Sequence, residues 1–192
     1  MKTFPFLMIA MSLLIWACNN EAKDSVEKAD SINKASIDSP AVQPPAVQAD
    51  EETSSFLVKA ANGGMTEVKL GEIAQQNAAS QRVKDFGSMM VHDHSATNEK
   101  VKTLAAQRNV TLPTAVSDES QKAIDDCSKK TGREFDKAYM SDMVKKHQAT
   151  IDMFEDAADK SKDADVKTFI NNTLPKVREH LDSAKAIHKQ LK

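Results

Sequence analysis

The stretch VKDFGSMMVHDHSATNEKVKTL, Val83 to Leu104, decides how the rest of the chain is read. Its apolar positions Val83, Phe86, Met90, Val101 and Leu104 recur at three- and four-residue steps, so they form one stripe of an amphipathic helix. His94 lies on that stripe, four residues after Met90 and seven before Val101, where a leucine would be expected. His92 falls on the opposite, charged side. An imidazole inside a core stripe needs a polar partner, and other helices must supply it.

Working outward, a tight connection at Ser80-Gln81 joins this helix, about 82–108, to an earlier one, about 53–80. The earlier helix carries two seams of small residues at seven-residue spacing, Gly64, Gly71, Ala78 and Ala60, Glu67, Ala74, so Glu67 sits within a small-residue face. Gly63-Gly64 costs about 1 kcal/mol per glycine relative to alanine, so either close packing compensates or the helix breaks there. Downstream, Asn109 and Pro113 end the second helix, and Asp118 opens a short one that stops near Lys130. Thr131-Gly132-Arg133-Glu134 has the capping-box pattern and opens a third long helix to about Lys160. Its stripe is Phe135, Tyr139, Met143, His147, Ile151, Phe154 and Ala158. The last helix, about 164–191, buries Phe169, Val177, Leu181, Ala184, Ile187 and Leu191, with Pro175 expected to kink or restart it. No strand pattern is present. The expected fold is all-α: a four-helix bundle with a short extra helix between the second and third long helices, in a domain spanning 51–192. Periodicity leaves open whether the link carrying that short helix caps one end or crosses the full length.

The N-terminal portion reads differently. Residues 1–17 have the form of a signal peptide: Lys2, then an apolar run from Phe4 to Ala17 too short to span a bilayer. The run ends Leu14-Ile15-Trp16-Ala17-Cys18, a lipobox-like sequence that predicts lipidation of Cys18; ordinary secretion with cleavage elsewhere is the alternative. Residues 18–50 lack a sustained apolar period and contain Ser39-Pro40-Ala41-Val42-Gln43-Pro44-Pro45, so a disordered tether is expected there. The implied setting is a lipid-anchored protein of the cell envelope, with the membrane as its partner. The chain has 26 basic and 28 acidic residues, and losing Lys2 with the signal takes the net charge from −2 to −3. No basic footprint for nucleic acid remains. Cys127 is the only other cysteine, which leaves a lipidated Cys18 no role in an intramolecular disulfide.

One candidate ligand falls near the middle of each long helix. Glu67 is at the midpoint of 53–80, His94 beside the midpoint of 82–108, His147 beside that of 132–160 and His180 near that of 164–191. Mid-height positions stay level whether neighbouring helices run parallel or antiparallel, so all four can meet on the bundle axis. One carboxylate and three imidazoles suit Zn, Fe or Cu(II). Met90 and Met143 precede His94 and His147 by four residues and share their faces, which adds a softer option favouring copper. No histidine has glutamate three residues before it, which disfavours the di-iron carboxylate pattern of ferritin-like bundles. The rival reading is structural: core histidines satisfied by hydrogen bonds, methionines filling gaps, and Glu67 paired with a histidine to fix register. A redox enzyme using the same site is a third reading. No nucleophile elbow or phosphate-binding glycine loop supports a hydrolase.

Several stretches carry a resemblance together: Phe56-Leu57-Val58-Lys59-Ala60-Ala61-Asn62-Gly63-Gly64-Met65-Thr66-Glu67-Val68, Val83-Lys84-Asp85-Phe86 with Met90 and Asp93-His94, Leu112-Pro113, Phe135-Asp136-Lys137-Ala138-Tyr139, Met143-Val144 with His147, and Leu174-Pro175 with His180-Leu181. Over about Ser54 to Leu191 the chain resembles the bacterial exported family termed domain of unknown function 4142. The resemblance implies a ferritin-like bundle and an exported, outer-membrane location, and no established activity. Because an all-helical bundle is not a barrel, that location implies lipid anchoring.

Overall fold

A computed structural model describes residues 24–38 and 49–191. Residues 1–23, which include the expected signal peptide and the expected lipidation site Cys18, and residues 39–48 lie outside the described residues. Six helices follow in order: α1 (Ser25–Asp38), α2 (Glu51–Asn77), α3 (Gln81–Gln107), α4 (Asp118–Ser128), α5 (Gly132–Lys160) and α6 (Ala164–Gln190). No β-strand occurs among the described residues, and none of their helices is long and apolar enough to cross a membrane.

The four long helices pack as a closed set, α2 against α3 and α5, and α6 against α5 and α3. Contacts at the helix ends fix their directions. At one end, Ala78 after α2 bridges to Gly132 at the start of α5, and the buried Asp136 carboxylate accepts the backbone N–H groups of Ala79 and Ser80 just before α3. At the other end, Arg108 at the end of α3 donates to Asp163, which caps α6, and to Asp165 in its first turn, and its carbonyl accepts from Ala49 before α2. Thus α2/α3 and α5/α6 are antiparallel pairs, whereas α3 and α5 run in the same direction. The link from Arg108 to Thr131 therefore crosses the full length of the bundle, roughly 40 Å for helices of this size. α4 lies within this link and packs on α2 and α5.

Small residues set the α2/α3 spacing. A Cβ on Gly71 would lie 2.6 Å from the Gly87 carbonyl, and one on Gly87 would lie 2.7 Å from the Ala74 Cβ. The helix runs unbroken through Gly63-Gly64; a Cβ on Gly64 would meet the Asn98 side chain, whereas Gly63 has nothing within 4 Å. These environments give opposite expectations for the same substitution. Gly71→Ala should destabilise the fold by about 1–3 kcal/mol, because two backbones must separate. Gly63→Ala should stabilise it by up to about 1 kcal/mol through helix propensity alone. Urea unfolding of the two variants checks both signs; a destabilised Gly63→Ala would contradict the packing described.

Three expectations need correction. First, α1 lies within 18–50, where an uninterrupted disordered tether was expected. Asp24 caps it, Ala29 is buried, and the Asn33 amide donates to the Thr111 carbonyl and accepts the Thr111 N–H, docking α1 on the crossing link. Second, Thr131 precedes α5 but makes no side-chain cap; Gly132, with φ of 63°, turns the chain into the helix instead. Third, of the two outcomes expected at Pro175, a kink or a restart, the restart does not occur, because α6 is one helix through it. Both Pro175 and Asn171, whose carbonyl loses its helical donor, are exposed, so water can take that acceptor.

Candidate metal centre

The core divides into two apolar clusters. One contains Phe56, Leu57, Phe154, Phe169 and Ile170, and the other Leu70, Phe86, Met90, Tyr139 and Met143. Neither contains a histidine, and the three core imidazoles meet in a polar layer of their own.

α3, α5 and α6 place His94, His147 and His180 together. Ring centroids are 5.7 Å apart for His94–His147, and 5.5 Å for both His94–His180 and His147–His180. One ligand nitrogen from each ring comes within 4.8 Å of the other two. All three residues are buried, His147 completely. Each histidine occupies a position its helix must bury: His94 four residues after Met90, His147 four after Met143, and His180 between Val177 and Leu181.

One nitrogen of each ring has a polar neighbour, and these neighbours set the tautomers. His147 Nδ1–H donates to the Met143 carbonyl at 2.9 Å, and a carbonyl can only accept. His180 Nε2–H donates to Asp93 Oδ2 at 2.9 Å. His94 Nδ1 lies 3.1 Å from Glu67 Oε2, and Glu67 Oε1 is 3.6 Å from His147 Nδ1. The remaining nitrogens, His94 Nε2, His147 Nε2 and His180 Nδ1, are buried without any hydrogen-bond partner among the described residues. In the neutral tautomers that those neighbours favour, the lone pair sits on these nitrogens.

Burial holds the His147 imidazole below its ordinary range, with the Glu67 charge opposing. It depresses His180 to about 4, against the opposing bond to Asp93. Burial pushes the Asp93 carboxyl up, but the bonds from His92 and His180 outweigh it and hold the group below its ordinary value. At neutral pH His147 and His180 are thus neutral, the form in which an imidazole binds a metal.

All four residues expected at mid-bundle are thus brought together, but Glu67 stands behind His94 and His147, at their Nδ1 atoms. Met90 and Met143 are fully buried in the apolar cluster, and Met143 contributes its backbone carbonyl to His147. Asp93 was present in the opening stretch without an assigned role; the only signal was its place beside His94, one step around the helix. His92 is on the surface, its Nδ1 2.8 Å from Asp93 Oδ1. Cys127 is half-buried, its thiol pushed up to about 11 by burial, in keeping with an unreactive packing residue.

Fold and site together define an all-helical protein with a buried three-histidine cluster backed by two carboxylates. Residues 38–187 match the family described as Domain of unknown function (DUF4142), and the chain belongs to that family. No curated protein and no solved structure matches it.

Proposed function

We propose that this protein binds one transition-metal ion through His94 Nε2, His147 Nε2 and His180 Nδ1, within a ferritin-like bundle anchored to the cell envelope. The observation that carries the reading is the set of three orphaned nitrogens. A buried polar atom without a partner costs about 1–3 kcal/mol, and a cation accepting one lone pair from each of the three neighbouring rings would satisfy all three at once. Glu67 and Asp93 then act as orienting carboxylates, which fix ring orientation and raise ligand basicity. Three neutral imidazoles suit Zn(II), Cu(II) or Fe(II). In a tetrahedral site with metal–nitrogen distances near 2.0–2.1 Å, ligand nitrogens sit about 3.4 Å apart, so small ring movements would close the cluster on the ion.

The ferritin-like assignment rests on the two antiparallel pairs joined by one long crossover, the connectivity of that class. With no Glu-x-x-His in the chain, the centre is mononuclear rather than di-iron. Elemental analysis of protein purified without a histidine tag should find about one transition metal per chain, lost in His94→Gln/His147→Gln. Equal metal content in parent and variant would remove the site.

The envelope location rests on the lipobox-like Ile15-Trp16-Ala17-Cys18. Cys18→Ala should release the protein from membranes. Unchanged retention of this variant in the membrane fraction would end the anchoring reading.

A further inference from the structure

The histidine layer is not sealed on both sides. One face meets the cluster containing Met90 and Met143. On the other, a cavity of about 40 Å³ reaches Glu67, His94 and His180. Each of those two histidines carries an orphaned nitrogen and is more than nine-tenths buried. The rest of the wall is mixed: Gly63 and Gly64 leave it bare on α2, Asn98, Thr150 and Thr173 add polar groups, and Met153, Phe154 and Val177 close it with apolar ones. Asn98 Oδ1 is a further buried acceptor without a partner among the described residues. Lys176 also lines the cavity and is half-exposed, so it marks the mouth.

We propose that this cavity is the binding site for a small Lewis base of two or three non-hydrogen atoms, which enters beside Lys176 and takes the open coordination position of the metal. The inference rests on the three-histidine reading above. Three protein ligands leave a tetrahedral ion one position short, the arrangement of metal sites that react with exogenous ligands rather than purely structural ones. The free position falls toward the cavity, because the opposite face is filled by packed apolar side chains. Size sets the class of ligand. A water needs about 10–15 Å³ of such space, so the cavity takes about three non-hydrogen atoms and excludes a five-membered ring.

The position of Gly64 fits this role. A Cβ there would lie 1.9 Å from Asn98 Oδ1, so a larger residue would crowd the cavity wall. Gly64 and Thr150 are therefore residues through which access can be changed without touching a histidine.

The test loads the full-length protein with Cu(II) or Co(II), whichever it takes up, and titrates azide and, separately, imidazole while following the metal's absorption spectrum. In the parent, azide should bind saturably and change the spectrum, whereas imidazole should not. Gly64→Ala and Thr150→Leu, each closing the cavity from a different helix, should keep the parent metal stoichiometry and lose azide affinity at least tenfold. Metal uptake without an azide response overturns this inference and leaves the metal centre standing. Parent-like azide affinity in both variants, or imidazole binding as well as azide, overturns the assigned route and size limit. If neither these ions nor Zn(II), Fe(II) or Cu(I) is taken up, the metal centre and this inference fall together.

Discussion

Adding a tenfold series of Zn(II), Cu(II), Cu(I) or Fe(II) to the metal-free protein is expected to raise its melting temperature for at least one ion, with no response in His94→Gln/His147→Gln. An ion that binds only the folded state stabilises it by about 2.7 kcal/mol at a hundredfold excess over its dissociation constant. For a domain of this size that corresponds to a shift on the order of 8 °C. The shift should be largest for an ion that three imidazoles suit. A preference for Cu(I) would instead indicate that Met90 or Met143 turns its sulfur toward the site. Burial keeps His147 and His180 neutral to lower pH than free imidazoles, so the stabilisation should persist at pH 5.5. Histidines that only pack the core would give no dependence on added ion. Equal shifts in parent and double variant would assign the effect to surface carboxylates, and the centre would be lost.

The sequence made the histidine layer legible because two simple rules coincide there. Helical periodicity identified which face of each helix is buried, and mid-height placement put Glu67, His94, His147 and His180 level whatever the chain direction. Neither rule could assign Asp93. It lies one step around α3 from His94, and its partner His180 belongs to α6, so its role depends on which helices are neighbours. The crossing link was hidden for a related reason: periodicity identifies faces but not directions, and the directions are fixed by end contacts such as Ala78 with Gly132 and Asp136 with Ala79 and Ser80. α1 was missed because only Val26 and Ala29 join the apolar core, too few to give a helical period. Asn33 anchors it through two bonds to Thr111, a residue 78 positions away. The Thr131 capping box failed in the opposite sense. The residue types were right, but the left-handed Gly132 turns the backbone so that the hydroxyl makes no cap bond.

The second large effect is expected in the metal-free protein on acidification. His180 titrates at about 4 in the folded chain because burial disfavours its charged form, whereas an unfolded histidine titrates near 6.5. Between those values the unfolded chain holds a proton that the folded chain does not, so stability must fall as pH falls. The stabilisation is whole above about pH 6.5, and about 3 kcal/mol of it should be gone by pH 4. His147, also depressed by burial, adds a loss of the same sign. The Asp163 carboxyl contributes later. Its bond from Arg108 holds it below the ordinary carboxylate range, so its stabilisation is present above about pH 4 and is lost only as pH drops through its folded value. Urea midpoints of the metal-free protein at pH 7, 5.5 and 4 should therefore decline steadily. In His180→Gln, which leaves Asp93 a hydrogen-bonding partner, the decline should be shallower by most of that 3 kcal/mol. A flat profile in the parent, or the same slope in both proteins, would mean that burial does not depress His180 and that it takes up its proton over the same pH range as an unfolded histidine. The acid slope thus tests, without any metal present, whether His180 stays in its neutral, cation-binding form well below pH 6.5.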